Sequence, residues 1–337
     1  MISIYIKQVI KETKDAITLV FKPLSAQWSY RAGQFITLRV WIKGAYVHRC
    51  YSLCSAPEWD RYPAITIKRI EGGVFSPYVH AHVKEGSVLE ASLPMGKFLL
   101  PAMSEAVEHF VLIAGGSGIV PLLGLLKSLL IKRKEVKVSL LYANRDEASI
   151  IYKDILDTLQ ATYSHRLVVT HILSRPKADW QGHKKRMDSA LLHSLLPEQD
   201  QLVHYFLCAP QSLMKVVKET LSHLGVAKRD VHEENFDPYI GSQVSHPFTY
   251  RLDITAKGKR YLSDVSSKKT VLEASLEAGV DLPYACMRGI CNTCRAKCVA
   301  GEVVMDEDEG LSEEEIKAGY VLTCVAHAKT KQVKIEI

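Results

Sequence analysis

Cys286, Cys291 and Cys294 stand together in C-M-R-G-I-C-N-T-C, and a fourth cysteine, Cys324, follows further along the chain. The C-x4-C-x2-C...C spacing suits a plant-type 2Fe-2S cluster, in which each iron takes two bridging sulfides and two cysteine thiolates. A tight loop delivers three of the sulfurs and a later strand the fourth. Such a loop turns backbone N–H groups toward the sulfurs, so it needs residues at ease in unusual backbone conformations. Gly289 and Asn292 are of that kind. A structural zinc ion is the other chemistry open to four cysteines, but zinc sites usually carry C-x2-C twice. The cysteine set therefore predicts an electron carrier.

A second signal lies at I-A-G-G-S-G-I-V-P, residues 113–121. It ends an apolar stretch and opens a helical one. The N–H groups of Gly115, Gly116, Ser117 and Gly118, with a helix starting near Pro121, form a cradle for a pyrophosphate. A glycine turn alone would be only a turn; a strand before it and a helix after it are the context the motif requires. Earlier, R-C-Y-S (49–52) precedes the basic strand I-T-I-K-R (65–69), which carries Lys68, and then G-G-V-F-S (72–76). Tyr51 offers a flat face for a flavin ring, Arg49 a fork for phosphate and Ser52 a hydroxyl in the ring plane. Gly73, Val74 and Ser76 add backbone donors. Taken singly, a strand tyrosine is usually core and the serine after it carries no role.

At 337 residues the chain is too long for one core and predicts two or three domains, and 47% hydrophobic with 24% charged residues marks ordinary globular protein. Beyond the cluster set, Cys50, Cys54, Cys208 and Cys298 are scattered in apolar contexts, which fits a reducing cytoplasm rather than a disulfide framework. The start, M-I-S-I-Y-I-K-Q-V, alternates like a strand and lacks the pattern of a secretory leader. Phe110 to Leu126 is uncharged and approaches the length of a membrane span. Its glycines and Pro121 instead predict a short buried strand, a turn and a helix, so no transmembrane segment is expected. The net charge of +6 comes without a basic run, which argues against nucleic acid. Residues from Thr249 onward hold 13 Lys+Arg against 14 Asp+Glu, and those before it 30 against 23. Within this acidic tail, Asp306 to Glu309 and Glu313 to Glu315 read as a solvated loop and helix start, able also to steer a basic partner.

The pattern divides the chain into three folded parts, a multidomain α+β architecture. Residues 1–103 show short alternating strands (Ile2 to Val9, Ala16 to Lys22, Gln34 to Val40, Ile65 to Ile70) and predict a small antiparallel β-barrel. Residues 104–237 alternate apolar strands (Phe110 to Ala114, Val136 to Tyr142, Leu167 to Ile172, Val203 to Cys208) with helices near 121–133, 151–162 and 211–224, predicting a parallel α/β domain. Residues 238–248 read as a linker. Residues 249–337 begin with two strands (Tyr250 to Ala256, Lys259 to Ser263) and an amphipathic helix in T-V-L-E-A-S-L-E-A-G.

These motifs together resemble the ferredoxin-NADP reductase superfamily fused to a C-terminal plant-type ferredoxin, the arrangement of reductase components in epoxygenase, steroid hydroxylase and related oxygenase systems. R-C-Y-S is similar to the family's R-x-Y-S flavin motif, G-V-F-S to its G-x-x-S phosphate motif and G-G-S-G-I-V-P to its nicotinamide dinucleotide loop. C-A-P (208–210), H-E-E-N-F (232–236) and the cysteines extend the likeness over nearly the whole chain. The resemblance implies a flavin-binding barrel, a nucleotide-binding α/β domain and a β-grasp ferredoxin domain. It implies that Tyr51 stacks on the isoalloxazine, Ser52 bonds near flavin N5, Arg49 binds the flavin phosphates, Cys208 sits beside the nicotinamide, and Glu234 and Phe236 close that site. FAD is implied rather than FMN, because G-x-x-S suits a dinucleotide's pyrophosphate.

Two departures stand out. Ala209 occupies the usual glycine of C-G-P, where its methyl could crowd the nicotinamide or demand an ordinary dihedral, and Asn292 replaces a glycine between cysteines. Cys298 stands where the family has an aliphatic residue and is expected in the core. Arg145, in Asn144-Arg145-Asp146, and Ser174-Arg175 offer an adenosine-end pocket, which leaves the donor as NAD(P)H. The implied activity is electron transfer from NAD(P)H through FAD and the cluster, singly, to a protein acceptor such as an oxygenase, epoxygenase, hydroxylase or desaturase. A reductase of diffusible acceptors (quinone, ferric complex or free flavin) is the alternative enzyme reading. A zinc-stapled, non-enzymatic interaction protein is the third.

Overall fold

The alternation seen in the first hundred residues places Ile4, Ile6, Leu19, Phe21, Ile36 and Leu38 on one side of their strands, and all six are fully buried. In this computed structural model, residues 1–337 are described except 102–106, 198–201, 237–246, 257, 281 and 309 and the side chain of Ala45. Two compact units emerge, residues 1–47 with 51–237, and residues 48–50 with 238–337. The expected boundary at 103/104 and most of the linker lie outside the described residues, as does Glu309 of the acidic run. Phe248, expected as the linker's end, exchanges hydrogen bonds with Ser267 and packs on the C-terminal core.

The first lobe contains β1 (Ile2–Lys11), β2 (Ala16–Pro23), β3 (Phe35–Ile42), β4 (Ala45–Ser52), β5 (Ala64–Lys68), α1 (Phe75–His82) and β6 (Val88–Ala91). The strand order is β4-β3-β6-β1-β2-β5. An antiparallel bridge from Leu53 to Ile65 joins the end of β4 to β5 and closes the barrel. The sequence pattern misses α1 and β6, and of β4 it reads only the R-C-Y-S end as strand. R-C-Y-S lies in β4, a half-exposed strand without clean alternation, and the eight residues of α1 are too few for helical periodicity to show.

The second lobe contains β7 (His109–Gly115), α2 (Ile119–Lys132), β8 (Lys137–Asn144), α3 (Lys153–Thr162), β9 (Leu167–Leu173), α4 (Ser189–Leu195), β10 (Val203–Cys208), α5 (Gln211–His223) and β11 (Val231–Glu234). Its strands are parallel in the order β11-β10-β7-β8-β9. β7 is buried at every position, which is why it reads as a continuous apolar run. α2 is apolar almost all round because it is buried almost all round, sharing one core with the sheet and with Ala16, Cys54, Ala64 and Phe98 of the barrel. Among the described residues no helix is long and apolar enough to cross a membrane. α2 begins at Ile119, after a 3-10 turn over Gly116–Gly118, so Pro121 sits inside its first turn rather than at its start. α4 and the polar β11 go unread in the sequence.

The third part contains β12 (Thr249–Ala256), β13 (Lys259–Ser266), α6 (Val271–Glu277), β14 (Arg295–Ala300), β15 (Val303–Met305), α7 (Glu313–Lys317), β16 (Tyr320–Leu322), β17 (Ala326–Ala328) and β18 (Gln332–Glu336). The sheet order is β13-β12-β18-β14-β16, with β12 and β18 parallel, and α6 contributes Val271, Leu272 and Ala274 to its core. Thr270 and Glu273 cap α6 reciprocally, a start signal visible in T-V-L-E.

The far end of α2 depends on one long-range cap. The buried Arg166 guanidinium donates to the carbonyls of Arg133 at 2.6 Å and Leu130 at 2.5 Å, satisfying groups the helix leaves open. Arg166→Ala is expected to lower the unfolding free energy by about 2–4 kcal/mol, read by urea denaturation, because it strands both carbonyls.

Candidate flavin, nucleotide and iron-sulfur sites

β7 leads to β8 and β9 on one side of its sheet, while β10 and β11 lie on the other. The carboxyl ends of β7 and β10 therefore flank the point where strand order reverses, the usual ligand crevice of such sheets. Gly115–Gly118 end β7 here and Cys208–Pro210 end β10. A Cβ on Gly118 would lie 1.8 Å from the Cys208 carbonyl oxygen, and one on Gly115 would lie 2.6 Å from Pro210 Cδ and 2.9 Å from Ala209 Cβ. Glycine is thus required by the approach of two loops. The Ala209 methyl lies toward Gly115 and the apolar core, and its backbone is not left-handed, the ordinary dihedral that an alanine in place of the glycine demands. The Tyr142 hydroxyl donates to Gly116 O at 3.0 Å and steadies the turn from below.

Cys208 is 1% exposed and pairs in register with Glu234 of β11. Ser52 Oγ, at the end of β4, donates to Glu234 Oε2 at 3.0 Å across 182 residues of chain. The three residues expected to be catalytic, Ser52, Cys208 and Glu234, are thereby gathered at the switch point. Beside Ser52, the half-buried Tyr51 ring leans on Phe75 at 5.8 Å and 34°. Arg49 Nη1 donates to the His48 carbonyl at 2.7 Å. Lys68 Nζ lies 3.8 Å from Asp15 and 4.0 Å from the Cβ position of Gly116, so it reaches from the barrel to the dinucleotide loop. Phe236, beyond β11, is 48% exposed.

The phosphate element differs in detail from the expectation. Gly73 N–H donates to Ile70 O at 3.1 Å, and Ser76 Oγ accepts from Ile70 N at 3.0 Å, so both serve the turn that precedes α1. Of the expected backbone donors, Gly73 N–H is thus taken up, while those of Val74 and Ser76 belong to the open first turn of α1. That helix end has no side-chain cap and no acidic residue in its first turn. Such an uncapped terminus fits a flavin pyrophosphate. Arg145 follows β8 and lines a cleft of about 510 Å³ with Lys14, Asp15, Arg69, Glu71 and Gly72. Arg175 is exposed, is held by its N–H to Arg145 O at 2.7 Å, and does not line that cleft, and neither does Ser174. Lys14 carries no motif, and Arg69, which ends I-T-I-K-R, is not singled out by the sequence; both join the cleft only once the lobes are folded.

In the cysteine loop, Gly289 and Asn292 have φ of 74° and 45°, and Met287 joins them at 54°. Gly289 is required twice, since a Cβ there would lie 2.7 Å from Glu307 O. N–H groups turn onto sulfur as the loop demands: Cys286 N to Cys291 Sγ at 3.5 Å and Arg288 N to Cys286 Sγ at 3.4 Å. Cys291, Cys294 and Cys324 are buried and Cys286 is half-buried. The thiols sense one another. Hydrogen bonds from Cys286 and Cys324 pull Cys291 and Cys294 respectively below the ordinary thiol range, while Cys286 and Cys324 are pushed up. Four thiols close enough to sense one another fit the ligand set of a two-iron unit. Cys298 is half-buried at a bulge of β14, on the margin of the core rather than inside it.

A barrel with an uncapped phosphate helix, a parallel sheet with a glycine cradle at its switch point and a four-cysteine β-grasp domain define a flavin and iron-sulfur oxidoreductase. Residues 3–99 match the oxidoreductase FAD-binding domain, 112–219 the oxidoreductase NAD-binding domain and 254–329 the 2Fe-2S iron-sulfur cluster binding domain. The chain is 32% identical over 346 residues to a component of the 1,2-phenylacetyl-CoA epoxidase of Escherichia coli K12, covering 99% of this chain and 97% of that relative. It is 31% identical over 347 residues to the ferredoxin reductase component of 3-ketosteroid-9-alpha-monooxygenase from Rhodococcus rhodochrous, covering 98% and 95%. Phthalate dioxygenase reductase shares the fold, with a TM-score of 0.63 at 22% identity over 99% of this chain and 97% of that one. The chain belongs to the ferredoxin-reductase-type reductases that carry FAD-, NAD- and 2Fe-2S-binding domains and serve oxygenase systems.

Gly118→Ala is expected to weaken NAD(P)H binding at least about tenfold, or ~1.4 kcal/mol, and to lower Tm, because the added methyl meets backbone rather than a side chain that could move. An unchanged Tm with an unchanged NAD(P)H titration would contradict the close approach.

Proposed function

We propose that the chain takes electrons from NAD(P)H and delivers them singly to one dedicated protein acceptor, an oxygenase, epoxygenase, hydroxylase or desaturase, in the cytoplasm. The observation that carries the reading is the meeting of Ser52 with Glu234 beside Cys208 at the switch point. When bound, FAD supplies hydride acceptance and, with the 2Fe-2S cluster, delivery one electron at a time.

The protein's share is positioning. Tyr51 offers its ring as a platform for the flavin, and Arg49 and the α1 N-terminus hold the phosphates. Gly115–Gly118 with Lys68 seat the nucleotide's pyrophosphate, Cys208 backs the nicotinamide, and Phe236 covers it. Ser52 keeps a hydroxyl at the reacting edge, oriented by the Glu234 carboxylate that accepts its hydrogen. Arg145, Ser174 and Arg175 receive the adenosine end. Cys286, Cys291, Cys294 and Cys324 ligate the irons. We assign the barrel to 1–103, the nucleotide domain to 104–237 and the ferredoxin domain to 249–337 together with Phe248, which packs on its core, and the linker to the residues between.

Cys291→Ser is expected to abolish NAD(P)H-driven cytochrome c reduction while ferricyanide reduction continues. Retained cytochrome c reduction would favour diffusible acceptors and leave the ferredoxin domain a modulating role. Ser52→Ala should leave flavin bound but slow its single-turnover reduction about tenfold, the rate equivalent of one hydrogen bond of ~1.4 kcal/mol. A rate equal to that of the unaltered protein would remove Ser52 from the reacting edge.

A further inference from the structure

A buried chain of hydroxyls crosses from the barrel to the nucleotide lobe. The Glu12 carboxylate accepts from Thr18 Oγ1 at 2.6 Å, the Thr18 and Thr66 hydroxyls lie 2.7 Å apart, and Thr66 Oγ1 meets the Tyr152 hydroxyl. Glu12 follows β1, Thr18 lies in β2 and Thr66 in β5, whereas Tyr152 opens α3 of the other lobe. An ionised carboxylate only accepts, so Thr18 donates to Glu12, Thr66 to Thr18 and Tyr152 to Thr66. The hydroxyl protons then all point toward Glu12, and the buried Cys54 thiol flanks the chain with its sulfur 3.7 Å from Thr66 Oγ1.

Tyr152 is held unusually firmly. It is 3% exposed and left-handed, φ 63° and ψ 25°, a conformation costly for a bulky residue that persists only where the surroundings over-determine it. That backbone aims its hydroxyl across the lobe boundary while its carbonyl accepts from Leu156 N at 2.9 Å in the first turn of α3. The apolar core shared by the lobes supplies adhesion, but burial is non-directional and tolerates sliding. Hydrogen bonds need a distance and an angle, so the polar chain is what can fix register.

Register matters because the reacting partners are held by different lobes: Tyr51 and Ser52 belong to the barrel, Gly115–Gly118 and Cys208 to the nucleotide lobe. We propose that Tyr152, acting through Thr66, Thr18 and Glu12, is a positioning residue that sets the nucleotide lobe on the barrel and thereby the distance of hydride transfer. The proposal rests on the flavin and nicotinamide reading above.

The test uses the holoenzyme and Tyr152→Phe, which removes one hydroxyl. Stopped-flow flavin reduction at saturating NAD(P)H is expected to fall about tenfold, since small misplacements far from the chemistry cost this much. The half-saturating nucleotide concentration and the flavin and cluster absorbance should stay as they were. Hydrogen exchange should quicken across residues 64–68 and 150–156 and not in the ferredoxin domain. Thr66→Ser keeps the hydroxyl and should restore what Thr66→Val loses, which also serves if Tyr152→Phe folds poorly. The double variant Tyr152→Phe/Thr66→Val should be no slower than either single one, because links of one chain fail together. Unchanged reduction with unchanged exchange, or losses that multiply in the double variant, would overturn the proposal. If the unaltered protein's flavin took no electrons from NAD(P)H, the functional reading would fall instead, and the exchange measurements would still decide whether Tyr152 sets the register.

Discussion

The approach of Gly118 to the Cys208 carbonyl is the constraint from which the nucleotide site follows. Two loops that end neighbouring parallel strands come within a distance no Cβ allows, so the residues there are small and the backbone itself forms the crevice wall. N–H groups and carbonyls are thereby presented directly at the switch point, where a side chain would otherwise stand between protein and nucleotide. The same closeness brings Cys208 and Glu234 to the crevice edge, where Ser52 meets them from the barrel.

The barrel and the nucleotide lobe are bound by forces of two kinds. Apolar burial around α2 gives most of the adhesion. Polar contacts give direction: besides the Tyr152 chain, Lys127 of α2 reaches both carboxylate oxygens of Asp60 at 2.8 and 3.0 Å, and Asp60 in turn accepts from Ala56 N at 2.8 Å. Buried charge pairs add little net stability, yet losing one partner costs several kcal/mol. They therefore act against misaligned packing more than they strengthen the aligned one.

The cysteine loop solves a separate problem. Three sulfurs within nine residues force the backbone around them into left-handed turns at Met287, Gly289 and Asn292, and Gly289 also yields to the Glu307 carbonyl. In return N–H groups face sulfur, which is what an anionic cluster requires of its surroundings. The asparagine that departs from the expected glycine sits at one of these turns, where its short polar side chain is tolerated.

The cysteine spacing, the glycine turn between an apolar strand and a helix, and the change from alternating to βα patterning determined the class of protein and its three folded parts. These signals are local, and local chemistry is enough to carry them. Most of the cofactor elements were legible for the same reason, although α1 was too short to be read and Gly73 N–H is taken up by its own turn, which leaves the uncapped helix end to offer the open N–H groups. Only the tertiary structure decided that Ser52 meets Glu234, that the Ala209 methyl packs toward Gly115, that Lys14 and Arg69 join Arg145 around one cleft, and that a left-handed Tyr152 reaches Thr66. Each of these joins residues far apart in the chain, and no periodicity records a contact whose two halves lie in different elements.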